Sequence, residues 1–485
     1  MPLPVHITQL MESSGVKFGT SGARGLVRDL TDRIAWTYTT AFLQQLDLCP
    51  QQPVALAGDL RPSTDRILRA VAHAIEWRGL VPLVCGTIPS PAVALYGLDK
   101  SMPAIMVTGS HIPDDRNGIK FNTSKGEILK ADEERIGAQE VQVPDIFDNT
   151  GAFLCSPHLP PVCSDASERY VRRYTDVFAS NSLEGQRIGV YGHSAVGRDL
   201  IVEILEAFGA QVSRLGWSDT FVPVDTEAVR AIDIELGAKW AAGGEFDALV
   251  STDGDSDRPL VSDECGKWLR GDVAGVLCAL ELGARVVAVP VSCNTAVERS
   301  GFFERVVRTR IGSPYVIAAM QDAVRSGASA VVGYEANGGF LTMSPLEVDG
   351  RVLGALPTRD AVVVALAVLR RARRRNVPVS ALLREIPARC TASDRLAEFP
   401  TAISTARLGE LSGPEAIEGV FGKAFGGLLE VDRVDGLRMT FAGPTVVHVR
   451  PSGNAPELRC YTEAATEEAA AKALDAALGI LAGWR

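Results

Sequence analysis

The chain has 485 residues, with 49 Lys and Arg against 59 Asp and Glu, a net charge of −10, 46% hydrophobic and 22% charged residues. At about 150 residues per domain this length predicts three or four domains, and the apolar content excludes a disordered chain. The acidic balance argues against a general nucleic-acid binder, and Ala361 to Leu369, the longest apolar run of the C-terminal half, falls short of the roughly 20 residues of a membrane span. The opening Met1-Pro-Leu-Pro-Val-His lacks a basic segment leading into an apolar one, so no secretory leader is expected. Nine scattered cysteines without a C-x-x-C pair read as reduced thiols of a cytoplasmic protein.

In chain order, the pattern alternates strands and helices. Pro53–Gly58 reads as a buried strand, 64–78 as a helix, and Val81–Cys85 and Ala104–Thr108 as the next strands. Arg187–Tyr191, the helix 198–208 and Phe246–Ser251 repeat the theme, as do Arg285–Val291, Ala330–Val332 and a helix from Asp360 to Arg371. Short apolar runs between helical segments predict βαβ units and mostly parallel sheets. The last hundred residues differ: strands at Gly436–Phe441, Val446–Val449 and Leu458–Tyr461 lie close together before an Ala-rich helix at Glu467–Leu481, a smaller α+β domain. The expected boundaries are 1–160, 161–266, 267–386 and 387–485. The run Arg370 to Arg375 reads as a solvated helix C-terminus, where cations suit the dipole.

Five loops concentrate polar residues and glycine, several of them just after apparent strands, where parallel sheets bind ligands. Lys17–Gly25 holds three glycines around Arg24, a candidate anion fork or an ordinary turn. Thr108–Lys120 places Ser110 beside His111, with Lys120 ten residues on, and lacks the G-x-S-x-G frame of an acyl-transfer nucleophile. Asp253-Gly-Asp-Ser-Asp-Arg258 sets Asp253, Asp255 and Asp257 at alternate positions, where they can converge on one hard cation. An EF-hand would need glycine at Arg258, so that reading fails. Arg258 itself is a candidate phosphate clamp. Gly333–Phe340 carries Glu335 and Asn337, suited to vicinal sugar hydroxyls or to a tight Asn-Gly-Gly turn. Arg450-Pro-Ser-Gly-Asn-Ala-Pro-Glu457 can form a donor nest for phosphate or a plain inter-strand turn.

Together these loops resemble the α-D-phosphohexomutase superfamily over the whole chain. Thr108-Gly-Ser-His-Ile-Pro is similar to its T-A-S-H-N-P phosphoserine loop, Asp253–Arg258 to its D-G-D-G-D-R loop, Tyr334-Glu-Ala-Asn-Gly-Gly to its G-E-x-S-G-H loop, and Arg450–Pro456 to R-P-S-G-T-E-P. The resemblance implies three related α/β domains and a smaller α+β lid around a central cleft. It implies that phosphorylated Ser110 exchanges phosphate with a hexose monophosphate through a hexose 1,6-bisphosphate, with Mg²⁺ on Ser110, Asp253, Asp255 and Asp257. Arg24, His111, Lys120 and Arg258 would surround the reacting phosphate. Gly312, Ser313, Glu335 and Asn337 would meet the sugar, and Arg450, Ser452, Gly453 and Asn454 the other phosphate. Three departures stand out: Asn337 replaces Ser, Gly339 replaces His, and Asn454-Ala455 replaces Thr-Glu. The chain is most similar to bacterial phosphomannomutase/phosphoglucomutase enzymes, with mannose or glucose phosphates as expected substrates. Phosphoglucosamine or phosphoacetylglucosamine mutation is the alternative, and a silent sugar-phosphate sensor the remote one. No nucleic-acid or membrane partner is expected.

Overall fold

The computed structural model describes residues 3–19, 22–452 and 456–484. Its first sheet places Val81–Thr87, at one edge, Pro53–Gly58, Ala104–Val107 and Arg116–Thr123 side by side in that order, three parallel and the last antiparallel. The second sheet repeats this with Gln211–Leu215, Arg187–Tyr191, Ala248–Thr252 and Pro259–Val261. The third repeats it again with Arg305–Thr309, Val286–Pro290, Val331–Tyr334 and Phe340–Thr342. No short sequence repeat betrays this, because the shared feature is order and direction, which only an apolar pattern has to support. The inner parallel strands are buried along nearly their whole length, as runs such as Val-Ala-Leu-Ala require when helices cover both faces.

In each unit the chain turns back between the third and fourth of these strands, at the carboxyl end of a parallel strand. The three turns hold residues 108–115, 253–258 and 335–339. The first sheet continues past Arg116–Thr123 into Gly22–Leu26 and Lys17–Phe18, which brings the Arg24 segment beside the first turn.

The fourth sheet is antiparallel, in the order Cys390–Leu396, Leu458–Ala464, Val446–Pro451, Leu437–Phe441, Leu428–Asp432. Helix Glu467–Ala482, capped by the Thr466 side chain, joins its apolar core. That core is separate from the one that runs continuously through the first three units from Ala55 to Ile386. The contacts that attach this last unit to the rest include many polar ones. Thr295 N–H donates to Glu463, Lys267 pairs with Glu467, and Ile311 N–H donates to Asp435.

Helix Ala361–Arg375 is apolar on every side over its first nine residues and lies in the shared core. It starts one residue later than expected because Asp360 is its cap. The arginine run departs from the solvated reading at its first two members. Arg370 and Arg371 are buried, and Glu281, Asp349 and Glu385 pair with them, while Arg373 to Arg375 remain at the surface. A core helix carries its first cations inward, and carboxylates on neighbouring segments have to meet them. Among the described residues no helix is long and apolar enough to cross a membrane.

Glu281 accepts from Arg370, Arg371 and Arg374 at 2.9, 3.3 and 3.1 Å. Glu281→Leu removes one of two carboxylate partners from Arg370 and from Arg371, and a loss of about 2 kcal/mol is expected for the shared core, measured by urea unfolding followed by circular dichroism.

Candidate active site

The Ser110 loop is held from below by two residues that sequence reasoning passed over. Asp59 and Arg61 follow Pro53–Gly58 at its carboxyl end, form a fully buried ion pair at 3.1 Å, and organise everything above them. Arg61 donates to the carbonyls of Ser110 (2.8 Å), Pro113 (2.7 Å) and Arg116 (3.0 Å), and also to that of Ile112. Phe221 of the second unit stacks 4.0 Å from the guanidinium. Asp59 accepts from the Thr108 hydroxyl, which in turn accepts the Ser110 N–H. Gly109 is required here, since a Cβ would lie 2.5 Å from the guanidinium carbon. The only signal was an Asp-x-Arg at a strand's carboxyl end, too common a pattern to single out.

Ser110 is left-handed at φ 57° and its side chain is fully buried. This conformation aims the hydroxyl across to the second unit, where it donates to Asp253 Oδ2 at 2.6 Å. The backbones meet as closely: a Cβ on Gly254 would lie 2.7 Å from the Ser110 carbonyl. Asp253, Asp255 and Asp257 are buried, with one oxygen of each within 4.8 Å of the others. Lys120 Nζ sits 2.5 Å from Asp255 and 2.6 Å from Asp257, and Ser90 donates to Asp255 at 2.6 Å. The Arg116–Thr123 register sets Lys120 opposite Gly22 and Gly118 opposite Arg24, so the cations come from adjoining strands.

Burial, then the charges of Asp255 and Asp257, push the Asp253 carboxyl well above its ordinary range. Burial opposes ionisation of Asp255 too, but Lys120 overrides it and holds that carboxyl low. Asp255 Oδ1 and Asp257 Oδ1 are buried without a hydrogen-bond partner among the described residues. Two orphaned anionic oxygens in an all-oxygen triad next to a hydroxyl are a donor set that fits a hard divalent cation.

Arg258 Nη1 lies 3.0 Å from His111 Nδ1, which is 3.4 Å from the Ser110 hydroxyl. A guanidinium can only donate, so Nδ1 carries a lone pair. Burial, then Arg258, lower the imidazole to about 3, which keeps it neutral. Arg24 is half-buried and lowered to about 10 by burial and then by Arg258.

The third unit supplies Glu335, buried, with its Oε2 held by Arg359 Nε at 2.5 Å. Arg359 Nη1 is 3.7 Å from Asp257 Oδ2, so it joins this loop to the acidic one. Asn337 turns its oxygen back on the loop, where it accepts the Gly339 N–H at 2.9 Å, and Thr226 of the second unit donates to its carbonyl. Gly312, at φ 128°, starts the helix Ser313–Arg325. The Ser313 hydroxyl reaches Glu127 of the first unit at 2.9 Å.

In the fourth unit, Arg450 pairs with Asp435 at 3.2 Å, and the same Asp435 oxygen accepts the Ile311 N–H beside Gly312. Arg459, not anticipated, stands directly across the strand pair from Arg450. The Nε atoms of both are buried without a partner among the described residues. Ser452 N–H donates to the Glu457 carbonyl. Gly453 and Asn454 lie outside the described residues.

Models of the phosphoglucomutase/phosphomannomutase family match residues 15–142 (alpha/beta/alpha domain I), 270–390 (alpha/beta/alpha domain III) and 404–479 (C-terminal domain). A phosphomannomutase of Salmonella muenchen is 43% identical over 479 residues, covering 97% of this chain and 96% of that protein. The chain belongs to the phosphoglucomutase/phosphomannomutase family. A second phosphomannomutase, of Sinorhizobium fredii, is 42% identical over 96% of this chain and 99% of its own. A phosphoglucosamine mutase of Symbiobacterium thermophilum is 29% identical over 92% and 94%. The fold matches a family member of Burkholderia thailandensis (TM-score 0.74, 19% identity, 97% of this chain and 98% of that one). It also matches an Aspergillus fumigatus N-acetylphosphoglucosamine mutase solved with GlcNAc-6P and magnesium (TM-score 0.58, 13% identity, 99% and 98%).

Arg61 fixes the Ser110 loop through four carbonyls, and if that loop reacts, its position governs turnover. Arg61→Lys keeps a charge for Asp59 but cannot span the four carbonyls. A misplacement of about 1 Å costs roughly 100-fold, so kcat is expected to fall about that far with KM little changed, read by steady-state kinetics on a folded variant.

Proposed function

We propose that this family member interconverts the 1- and 6-phosphates of mannose, with glucose as a second substrate, using Ser110 as phosphoryl carrier. The observation that carries this reading is the Ser110 hydroxyl at 2.6 Å from Asp253, in a left-handed turn beside three buried carboxylates and a ring of cations. Phosphorylated Ser110 passes its phosphoryl group to the free hydroxyl at C1 or C6 of a hexose monophosphate. The P–Oγ bond breaks as the P–O bond to sugar forms, giving the hexose 1,6-bisphosphate. After the bisphosphate turns round, its other phosphate returns to Ser110.

Each group has a task suited to its chemistry. Asp253, Asp255 and Asp257 would hold Mg²⁺ against the phosphoserine, and Mg²⁺ supplies charge neutralisation to the transferring phosphoryl. Arg24, Arg258 and Lys120 balance the remaining negative charge. Neutral His111 accepts from Arg258 through Nδ1 and orients that guanidinium beside the Ser110 oxygen, which takes the proton of the sugar hydroxyl as the P–Oγ bond breaks. Glu335 accepts from ring hydroxyls. Asn337 shapes the loop that carries it, and Gly312 and Ser313 border the same region. Arg450, with Arg459 across from it and Ser452, Gly453 and Asn454 in its loop, grips the phosphate that does not react.

The separate core and polar attachment of the last unit suit a lid that opens for the intermediate to turn. The domain limits 1–160, 161–266, 267–386 and 387–485 and a cytoplasmic location belong to the same reading. Mannose is favoured over amino sugars because the 42–43% relatives are phosphomannomutases, whereas the phosphoglucosamine mutases stand at 25–29%.

Incubation with glucose 1,6-bisphosphate is expected to add one phosphoryl group, seen by intact mass, in wild-type protein and none in Ser110→Ala. A coupled assay should find mannose 1-phosphate turned over, EDTA-treated enzyme inactive, and activity restored by Mg²⁺. Faster turnover of N-acetylglucosamine 1-phosphate would overturn the sugar assignment alone. An unphosphorylated Ser110 would overturn the mechanism.

A further inference from the structure

The loop 334–339 departs from the G-E-x-S-G-H pattern by ending in Gly339 where the pattern has histidine. The side chain of another segment fills the space above Gly339. A Cβ built there would lie 2.4 Å from Arg359 Cδ, 2.8 Å from Cγ and 3.1 Å from Nε. The arginine is fixed at both ends. Its Nε donates to Glu335 Oε2 at 2.5 Å, and Nη1 faces Asp257 Oδ2 at 3.7 Å. Its backbone is equally set. The next residue, Asp360, donates its N–H to the Phe340 carbonyl, and its carboxylate accepts from Tyr170 and Tyr174 and pairs with Arg173. Arg359 is one of the largest fully buried side chains of the protein, yet it sits between two acidic loops that belong to different units.

We infer that Arg359 is a positioning residue for sugar recognition, and that it occupies the place vacated at position 339. The inference rests on the reading of Glu335 as the hydroxyl acceptor. By holding Oε2, Arg359 leaves Oε1 to meet the substrate and fixes the rotamer of the carboxylate. By facing Asp257, it sets the distance between the sugar and the phosphoryl-transfer centre. Glycine at 339 and arginine at 359 are then one device: the arginine needs the missing Cβ, and the glycine has no function without the arginine. Lysine cannot reproduce it, because one ammonium cannot face Glu335 and Asp257 along a planar fork.

The test is a cycle of Arg359→Met, Glu335→Ala and the pair, read as Kd for mannose 1-phosphate by calorimetry in Ser110→Ala protein and as KM and kcat in the active enzyme, with melting temperature followed for each. A bond to a charged partner accounts for roughly 10- to 100-fold. Arg359→Met is expected to weaken Kd and raise KM by about 30-fold in the presence of Glu335 and by less than about twofold in its absence. Gly339→His alone is expected to lose at least about tenfold through collision with Cγ and Cδ of the arginine, and to recover in an Arg359→Ala background, where those atoms are gone and the imidazole enters the emptied space. Multiplying losses in the cycle, or a harmless Gly339→His, would overturn the inference. If Arg359→Met fails to fold, Arg359→Lys replaces it: a loss seen only with Glu335 present supports the inference, and an equal loss with and without Glu335 overturns it. A Glu335→Ala protein that binds mannose 1-phosphate as tightly as its parent would instead overturn the reading of Glu335. A wild-type enzyme without turnover would overturn the proposed reaction.

Discussion

Three buried carboxylates within a 4.8 Å span repel one another strongly enough to decide how the surrounding chain must be arranged. Burial, and after it the charges of Asp255 and Asp257, push the Asp253 carboxyl above its ordinary range. The protein neutralises them with cations drawn from three units: Lys120 and Arg24 from the first, Arg258 from the loop itself, and Arg359 from the third. These ion pairs tie the first, second and third units together around the acidic loop.

Repetition of one four-stranded order makes this convergence possible. In each of the first three units the candidate loop is the turn between the third and fourth strands, so three copies of one structural position carry Ser110, the acidic triad and Glu335. The carboxyl end of a parallel sheet leaves backbone groups and short side chains free to face a ligand. The continuous core from Ala55 to Ile386 holds the three turns in fixed register with one another. The fourth unit has its own core and meets the others partly through polar contacts of Glu463, Glu467 and Asp435.

Much of this was legible in the sequence. Alternating apolar runs and helical spacing determined the α/β class, because a strand buried on both faces must be apolar throughout and a helix must show its period. The acidic triad at alternate positions, Ser110 beside His111, Glu335 and Arg450 were legible as candidates because each stands in a short polar or glycine-rich segment of its own. Tertiary structure decided the rest. Arg61, Arg359 and Arg459 owe their importance to partners 49, 24 and 9 residues away, and nothing in their immediate neighbours marks them. Arg370 and Arg371 looked like a surface run and are buried, since only the packing of helix Ala361–Arg375 against Glu281 and Glu385 determines which side of a charged helix end meets solvent. Sequence fixes what a residue can do, but a charge, a bond or a collision needs a partner at a stated distance, and only the folded chain supplies one.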